Sequence, residues 1–137
     1  MKQYLVRDVM TPIDKIVKIS PFARVRELLQ LMQEKDVKSV IVERTGEHDA
    51  YGIVTYTNIL EAIFSNDGDM DLINVYDIAM KPLIQVVSPL DIKYAAQLMV
   101  RQQVTRLAVT WEGDLVGLVT MTDIVRVLMQ EAAKEGS

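Results

Sequence analysis

The sequence predicts a mixed α/β fold built from two copies of one strand–helix–strand–strand–helix unit. Three observations predict it. The stretch Gly52-Ile53-Val54-Thr55-Tyr56-Thr57-Asn58-Ile59 returns as Gly117-Leu118-Val119-Thr120-Met121-Thr122-Asp123-Ile124. The segments upstream recur in the same order: Met10-Thr11-Pro12 with Met80-Lys81-Pro82, Ser20-Pro21 with Ser88-Pro89, and Val37 to Val42 with Val104 to Val109. The apolar periodicity inside each copy then switches between helix and strand at matching places. The offset between copies drifts from 70 residues at Met10 and Met80 to 65 at Gly52 and Gly117, as expected where loops vary and packed elements do not.

The elements follow in order. Residues 1 to 9 and 72 to 79 are matching lead-ins, Val6-Arg7-Asp8-Val9-Met10 being mirrored by Tyr76-Asp77-Ile78-Ala79-Met80. Ile16 to Ile19 is a short β-type run, ended by Ser20-Pro21, which announces a helix. Val25, Leu28, Leu29 and Met32 then form one apolar stripe at i, i+3, i+4 and i+7. Ile92, Ala95, Ala96 and Met99 repeat that spacing. Val40-Ile41-Val42 and Tyr51-Gly52-Ile53-Val54 flank a polar turn, and Leu107-Ala108-Val109 and Leu115 to Val119 flank Glu112-Gly113-Asp114; each reads as a β-hairpin. The runs are nearly continuous, so both faces of the sheet are expected to be covered. A second helix starts near Asn58 or Asp123, with Thr57 and Thr122 fitting as N-caps. The resulting boundaries are repeat 1 at 6–66, a polar linker at 67–73, repeat 2 at 74–130 and a flexible tail at 131–137 that is expected to fray.

Composition narrows the function. The chain has 137 residues, the length of one compact domain, and half are hydrophobic. A formal net charge of −4 argues against a nucleic-acid surface. Without cysteine there is no disulfide framework and no thiolate. No apolar run is long enough to span a membrane, and the N-terminus lacks a signal-peptide core. The expectation is a cytoplasmic protein, either free-standing or a piece of a longer chain. A single histidine, His48, in a polar turn supports neither a nucleophile–base pair nor a metal centre. Neither a nucleophile elbow nor a phosphate-binding P-loop is present, so no catalytic residues and no required cofactor are expected. The methionines, Met32 and Met99 among them, read as core fillers. Trp111 reads as a packing or interface residue.

The repeated motif carries its own chemistry. A glycine in the last strand lets a flat ring or a backbone approach closely. A threonine hydroxyl at a helix start can bond a phosphate oxygen. A carboxylate three residues later can accept two hydrogen bonds from ribose hydroxyls. An apolar hairpin offers a slot for a base. For Asp123 a structural alternative stands beside this one, since an acid in the first helical turn complements the helix dipole.

With these motifs the chain resembles a tandem pair of CBS domains, the modules named after cystathionine β-synthase, from about Val6 to Leu128. The resemblance implies two CBS repeats packed as one Bateman-type module that binds AMP, ADP, ATP or S-adenosylmethionine in clefts between the repeats as a regulatory ligand. It implies a stronger site with Thr120 on phosphate, Asp123 on ribose, the base against Ile13, Ile16, Val37, Lys38 and Ser39, and Arg106 toward the phosphates. The mirror site would use Thr55 and Asn58 with Pro82, Ile84, Val104 and Thr105. Asn58 stands where the family usually has aspartate, so this site is expected to be weaker. The resemblance also implies a homodimer formed through helices, with Ile59, Ile63, Ile124 and Leu128 as candidate contacts, and a regulated protein partner. The alternative is a dimerisation or protein-interaction module with no small ligand; single-stranded nucleic-acid binding is a weaker third.

Overall fold

A computed structural model describes residues 2–135. The chain forms two compact units, one comprising residues 1–16 and 84–137, the other residues 17–83. Length alone suggests one domain. The contacts divide differently, because each copy's lead-in packs with the other copy's hairpin.

The first unit contains a four-stranded sheet in the order β1-β7-β6-β5, formed by Thr11–Pro12, Asp114–Thr120, Arg106–Trp111 and Gln85–Val87. The short β1 runs antiparallel to β7, with Thr11 opposite Leu118 and Pro12 opposite Gly117. Ahead of it the one-turn helix α1 (Val6–Val9) is held by its backbone: the Val6 amide donates to the Leu90 carbonyl at 2.7 Å and the Leu5 amide to Asp8 Oδ2 at 2.9 Å. Helices α5 (Ile92–Gln102) and α6 (Met121–Glu135) cover the sheet's core, with Val6, Met99, Leu107, Val109, Val119 and Ile124 buried together. Asp91 caps α5 by accepting from the Lys93 amide.

The second unit is built alike. Its sheet is β2 (Lys18–Ile19), β3 (Ser39–Val42) and β4 (Gly52–Thr55), with β2 parallel and β4 antiparallel to β3. Helix α2 (Val25–Lys35) buries Val25, Leu28 and Met32 of the predicted stripe, each worth about 1.5–3 kcal/mol. Its N-cap, Arg24, offers no side-chain acceptor. The linker supplies acceptors from its backbone instead. The Val25 amide donates to Ile73 O and the Arg26 amide to Met70 O, satisfying donors that a helix start leaves open. Arg26 and Asp71 fasten the same linker through a two-pronged ion pair. The copy-two lead-in, carrying α4 (Val75–Ile78), joins this unit through the fully buried Val75 and a bridge between Ile53 and Met80.

Helix α3 (Tyr56–Leu60) passes into a π-helical turn over Glu61–Ser65 before the linker. Two expectations about the second helices are corrected. The N-caps are Thr55 and Thr120, not Thr57 and Thr122, which lie inside the first turn. Ile59 and Ile124 are only 7% and 6% exposed and belong to the cores, so they are unavailable for dimer contacts. The exposed apolar stripes are instead Tyr56, Leu60 and Phe64 in one unit and Met121, Val125, Leu128 and Met129 in the other. Helical geometry explains the shift, since positions i, i+4 and i+8 share a face that Ile59 and Ile124 do not.

The tail also differs from expectation. Helix α6 continues through Glu135, because Glu131 is buried and accepts a 2.6 Å hydrogen bond from the Tyr4 hydroxyl. This bond pushes the Tyr4 hydroxyl up and holds the Glu131 carboxyl down from their ordinary ranges. Gly136 and Ser137 lie outside the described residues. Met32 and Met99 are buried as predicted, and Trp111 is exposed. No helix among the described residues is long and apolar enough to cross a membrane.

In the second unit Asp49 closes the β3–β4 turn. It pairs with Lys81 at 2.5 Å and accepts hydrogen bonds from the Thr45 amide and hydroxyl. The Lys81 ammonium foremost, then the Thr45 donors, holds its carboxyl well below the ordinary value of 3.8. A depressed carboxylate stabilises the fold fully above the unfolded value and loses that contribution as pH falls below it. Asp49→Asn is therefore expected to lower the melting temperature at pH 7, with the gap to the wild type narrowing progressively as pH falls below about 4. Parallel pH-dependent melts of the two proteins check this; a gap constant with pH would count against it.

Candidate ligand site

The two copies of the motif form the same local device from different residues. In the first unit Thr120 caps α6: its amide donates to Asp123 Oδ2 at 2.8 Å, and its hydroxyl accepts from the Asp123 amide at 3.1 Å. This is a reciprocal capping box, an aspartate replacing the usual glutamate. In the second unit the Thr55 amide and hydroxyl both donate to Asn58 Oδ1, at 2.8 and 3.1 Å, and the Asn58 amide donates back to the threonine side chain.

The chemical difference lies in what remains. Asn58 is buried and its carbonyl oxygen already accepts two bonds, so only its amide NH2 could serve a ligand. Asp123 spends Oδ2 alone, and among the described residues Oδ1 accepts no hydrogen bond and the Thr120 hydroxyl donates none. Copy two thus retains a charged acceptor and a hydroxyl donor where copy one has committed both.

The motif glycines are explained by backbone. A Cβ at Gly117 would stand 2.7 Å from the Thr11 carbonyl oxygen and against the Met10 sulfur, and one at Gly52 would stand 3.2 Å from the Met80 carbonyl oxygen. Of the two close approaches the motif permits, a ring or a backbone, both positions accommodate a lead-in strand.

The predicted site residues separate as follows. Thr120, Asp123, Arg106, Ile13 and Ile16 share the first unit, the lead-in bringing the two isoleucines to the sheet of copy two. Val37, Lys38 and Ser39 belong to the second unit. Of the mirror set, Thr55, Asn58 and Pro82 lie in the second unit and Ile84, Val104 and Thr105 in the first. Thr120, Arg106 and Thr105 line one open hollow of about 670 Å³ in the first unit, and Arg106 Nη1 donates to the Thr105 hydroxyl at 2.9 Å. Asp123 lines an adjoining hollow of about 450 Å³ with Lys2, Tyr4 and Asp8. Arg126 lines both. Sequence reading passes over Arg126, although its spacing of three from Asp123 and four from Thr122 sets it on their side of the helix.

A CBS domain family model matches residues 6–65 and again residues 75–130. The chain belongs to the CBS domain family and carries the domain in tandem, an arrangement that is generally a regulatory, ligand-binding module. It is similar to an uncharacterized protein of Methanopyrus kandleri, 30% identical over 109 residues that cover 79% of this chain and 55% of that one. An uncharacterized protein of Methanocaldococcus jannaschii is 25% identical, with 82% and 61% covered. The chain thus spans about half the length of the curated relatives it matches. Among solved structures it is similar to a hexameric CBS-CP12 protein from bloom-forming cyanobacteria, with a TM-score of 0.81, 31% identity, and 91% and 72% covered. It is also similar to the CBS domain of a bacterial CNNM/CorC family Mg2+ transporter in complex with ATP, with a TM-score of 0.77, 27% identity, and 89% and 84% covered.

Proposed function

We propose that this chain is a regulatory module that binds an adenosine-containing nucleotide through the copy-two motif. Asp123 Oδ1 receives a ribose hydroxyl, the Thr120 hydroxyl donates to a phosphate oxygen, Arg106 neutralises phosphate charge, and Ile13 and Ile16 supply apolar surface for the base. The carrying observation is the asymmetry of the capping boxes, which leaves an acceptor and a donor unspent in copy two alone. The ATP complex of the transporter CBS domain supports the ligand class. The ligand regulates by favouring whichever conformation binds it better, and by no more than that difference in affinity.

Asp123→Asn is the discriminating test. Asparagine can still accept from the Thr120 amide, as Asn58 does from Thr55, so the apo melting temperature should hardly move. The charge is lost, and a hydrogen bond to a charged acceptor exceeds a neutral one by about 1 kcal/mol, so nucleotide affinity should fall roughly fivefold. Isothermal titration and thermal melts with AMP, ADP, ATP and S-adenosylmethionine read both effects. Unchanged affinity would remove Asp123 from the site.

The exposed stripes favour a second reading, assembly without a small ligand. Phe64 and Met129 are 76% and 66% exposed, and equivalent helices in both units carry apolar residues at i, i+4 and i+8. Met121, Val125 and Met129 also line the hollow beside Thr120, so a homodimer through that stripe covers the nucleotide site and favours the second reading, whereas one through Tyr56, Leu60 and Phe64 fits either. Sedimentation across a range of concentrations, with and without ATP, separates them: ligand-independent assembly together with silent titrations would favour the second.

A further inference from the structure

The geometry points to a polyphosphate chain, a nucleoside di- or triphosphate in place of a monophosphate or S-adenosylmethionine, as the anion that the copy-two hollow takes, with Arg126 as its second cationic contact. This inference rests on the nucleotide reading above and sharpens it.

The hollow beside Thr120 is lined by Arg106 and Arg126, by Thr105, Thr120 and Thr122, and by the apolar side chains of Met121, Val125 and Met129, with no carboxylate among the described residues. In a chain with a net charge of −4 this is a local concentration of positive charge. Neither guanidinium has a carboxylate partner within ion-pair distance among the described residues; Arg106 bonds only the Thr105 hydroxyl. Asp123, three residues before Arg126 on the same helix, leaves it unpaired. Two unneutralised guanidiniums with hydroxyls around them match a chain of phosphates, each of which offers oxygens to an N–H fork. A single phosphate, with three terminal oxygens, engages both guanidiniums only if they converge on it, whereas a chain of phosphates reaches each with a separate group and carries more charge to neutralise them. The sulfonium of S-adenosylmethionine would add positive charge to a hollow that already carries two.

Copy one supplies an internal control. Ser39 faces Thr55 across its hairpin in the register in which Arg106 faces Thr120. Glu61 follows Asn58 at the spacing at which Arg126 follows Asp123. The two positions that are arginine in copy two are thus serine and glutamate in copy one, so the preference for polyphosphate belongs to copy two and does not come with the fold.

The test is titration of the full chain, wild type and Arg126→Gln, with adenosine, AMP, ADP, ATP, S-adenosylmethionine and inorganic tripolyphosphate. Arg126 is exposed and unpaired, so the variant should keep its melting temperature, which is measured alongside. The expected result is that ATP and ADP bind at least tenfold tighter than AMP, and that the variant loses about tenfold for ATP and clearly less for AMP. Equal affinities for AMP and ATP, a preference for S-adenosylmethionine, or an unchanged ratio of ATP to AMP affinity in the variant would overturn the polyphosphate assignment and leave the nucleotide reading standing. Binding of tripolyphosphate that depends on Arg126, with silent nucleotides, would support the anion assignment and overturn the nucleotide reading. Silence from every compound would overturn both.

Discussion

Gly117→Val is expected to lower the stability of the protein by about 3 kcal/mol and to release the first lead-in from its sheet. The glycine sits opposite Pro12, and a side chain there meets the Thr11 carbonyl and the Met10 side chain. Relief requires either that β1 move away, at the cost of its pairing with β7, or that Met10 leave its place against the core. For a chain of this size the loss corresponds to a fall of roughly 10 °C in melting temperature. Nucleotide affinity should fall with it, because Ile13 and Ile16 follow β1 directly. Amide exchange over residues 10–16, read beside the melt, locates the damage. The equivalent Gly52→Ala is expected to cost far less, since its Cβ would stand 3.2 Å from its closest neighbour, a gap that a few tenths of an ångström relieve. Equal losses at both glycines would contradict the steric argument.

Leu107→Ala is expected to cost about 3 kcal/mol. Leu107 is fully buried on β6, an interior strand of the first unit's sheet, facing Val119 and packed with Val6, Met99 and Ile124. Its loss leaves a cavity that the strands on either side prevent from collapsing. Trp111, the single tryptophan, lies at the end of the same strand, so its fluorescence follows this unit directly. Urea unfolding followed by that signal should show a lower midpoint with little change in slope. Leu28→Ala tests the second unit, where unfolding is followed by circular dichroism because Trp111 lies in the first, and is expected to have an effect of similar size, because Leu28 is as completely buried. A loss below about 1 kcal/mol at either position would mean that the core had repacked.

Much of this is legible in the sequence. The duplication, the α2 and α5 stripes and both hairpins appear where the periodicity places them, since each depends on neighbours close in the chain. What the sequence conceals depends on distant partners. Nothing local to Thr11-Pro12 states that its strand partner is Gly117-Leu118, more than a hundred residues away. The caps fall two residues earlier than composition suggests, because Thr57 and Thr122 are as plausible in type as Thr55 and Thr120, and only the bonds to Asn58 and Asp123 decide between them. Two of the four dimer candidates, Ile59 and Ile124, fail for a related reason, while Leu128 is exposed: a spacing of four identifies a shared face but does not say which face is inward, and those two point to the cores. The tail looks polar and frayed in sequence because Tyr4, which pairs with Glu131, lies at the other end of the chain. Among the site residues, Asp123 and Thr120 are visible from the motif, whereas Arg126 lies past its end and becomes visible only when helical spacing is applied to charge.

The exchange of lead-ins has a consequence for how such a chain can be divided. The second unit, residues 17–83, is continuous, while the first is assembled from segments on either side of it. A duplication in sequence is therefore a nested insertion in contacts. Cutting between the copies would strip the β6–β7 hairpin of the strand that completes it and the β3–β4 hairpin of its bridge to Met80, and leave β7 with an open edge, a template for pairing with another molecule. A lone copy could heal that edge only by borrowing a lead-in from a second chain. The covalent tandem makes this loan permanent, replacing a strand-swapped pair of molecules with one chain whose reciprocal exchange does not depend on concentration.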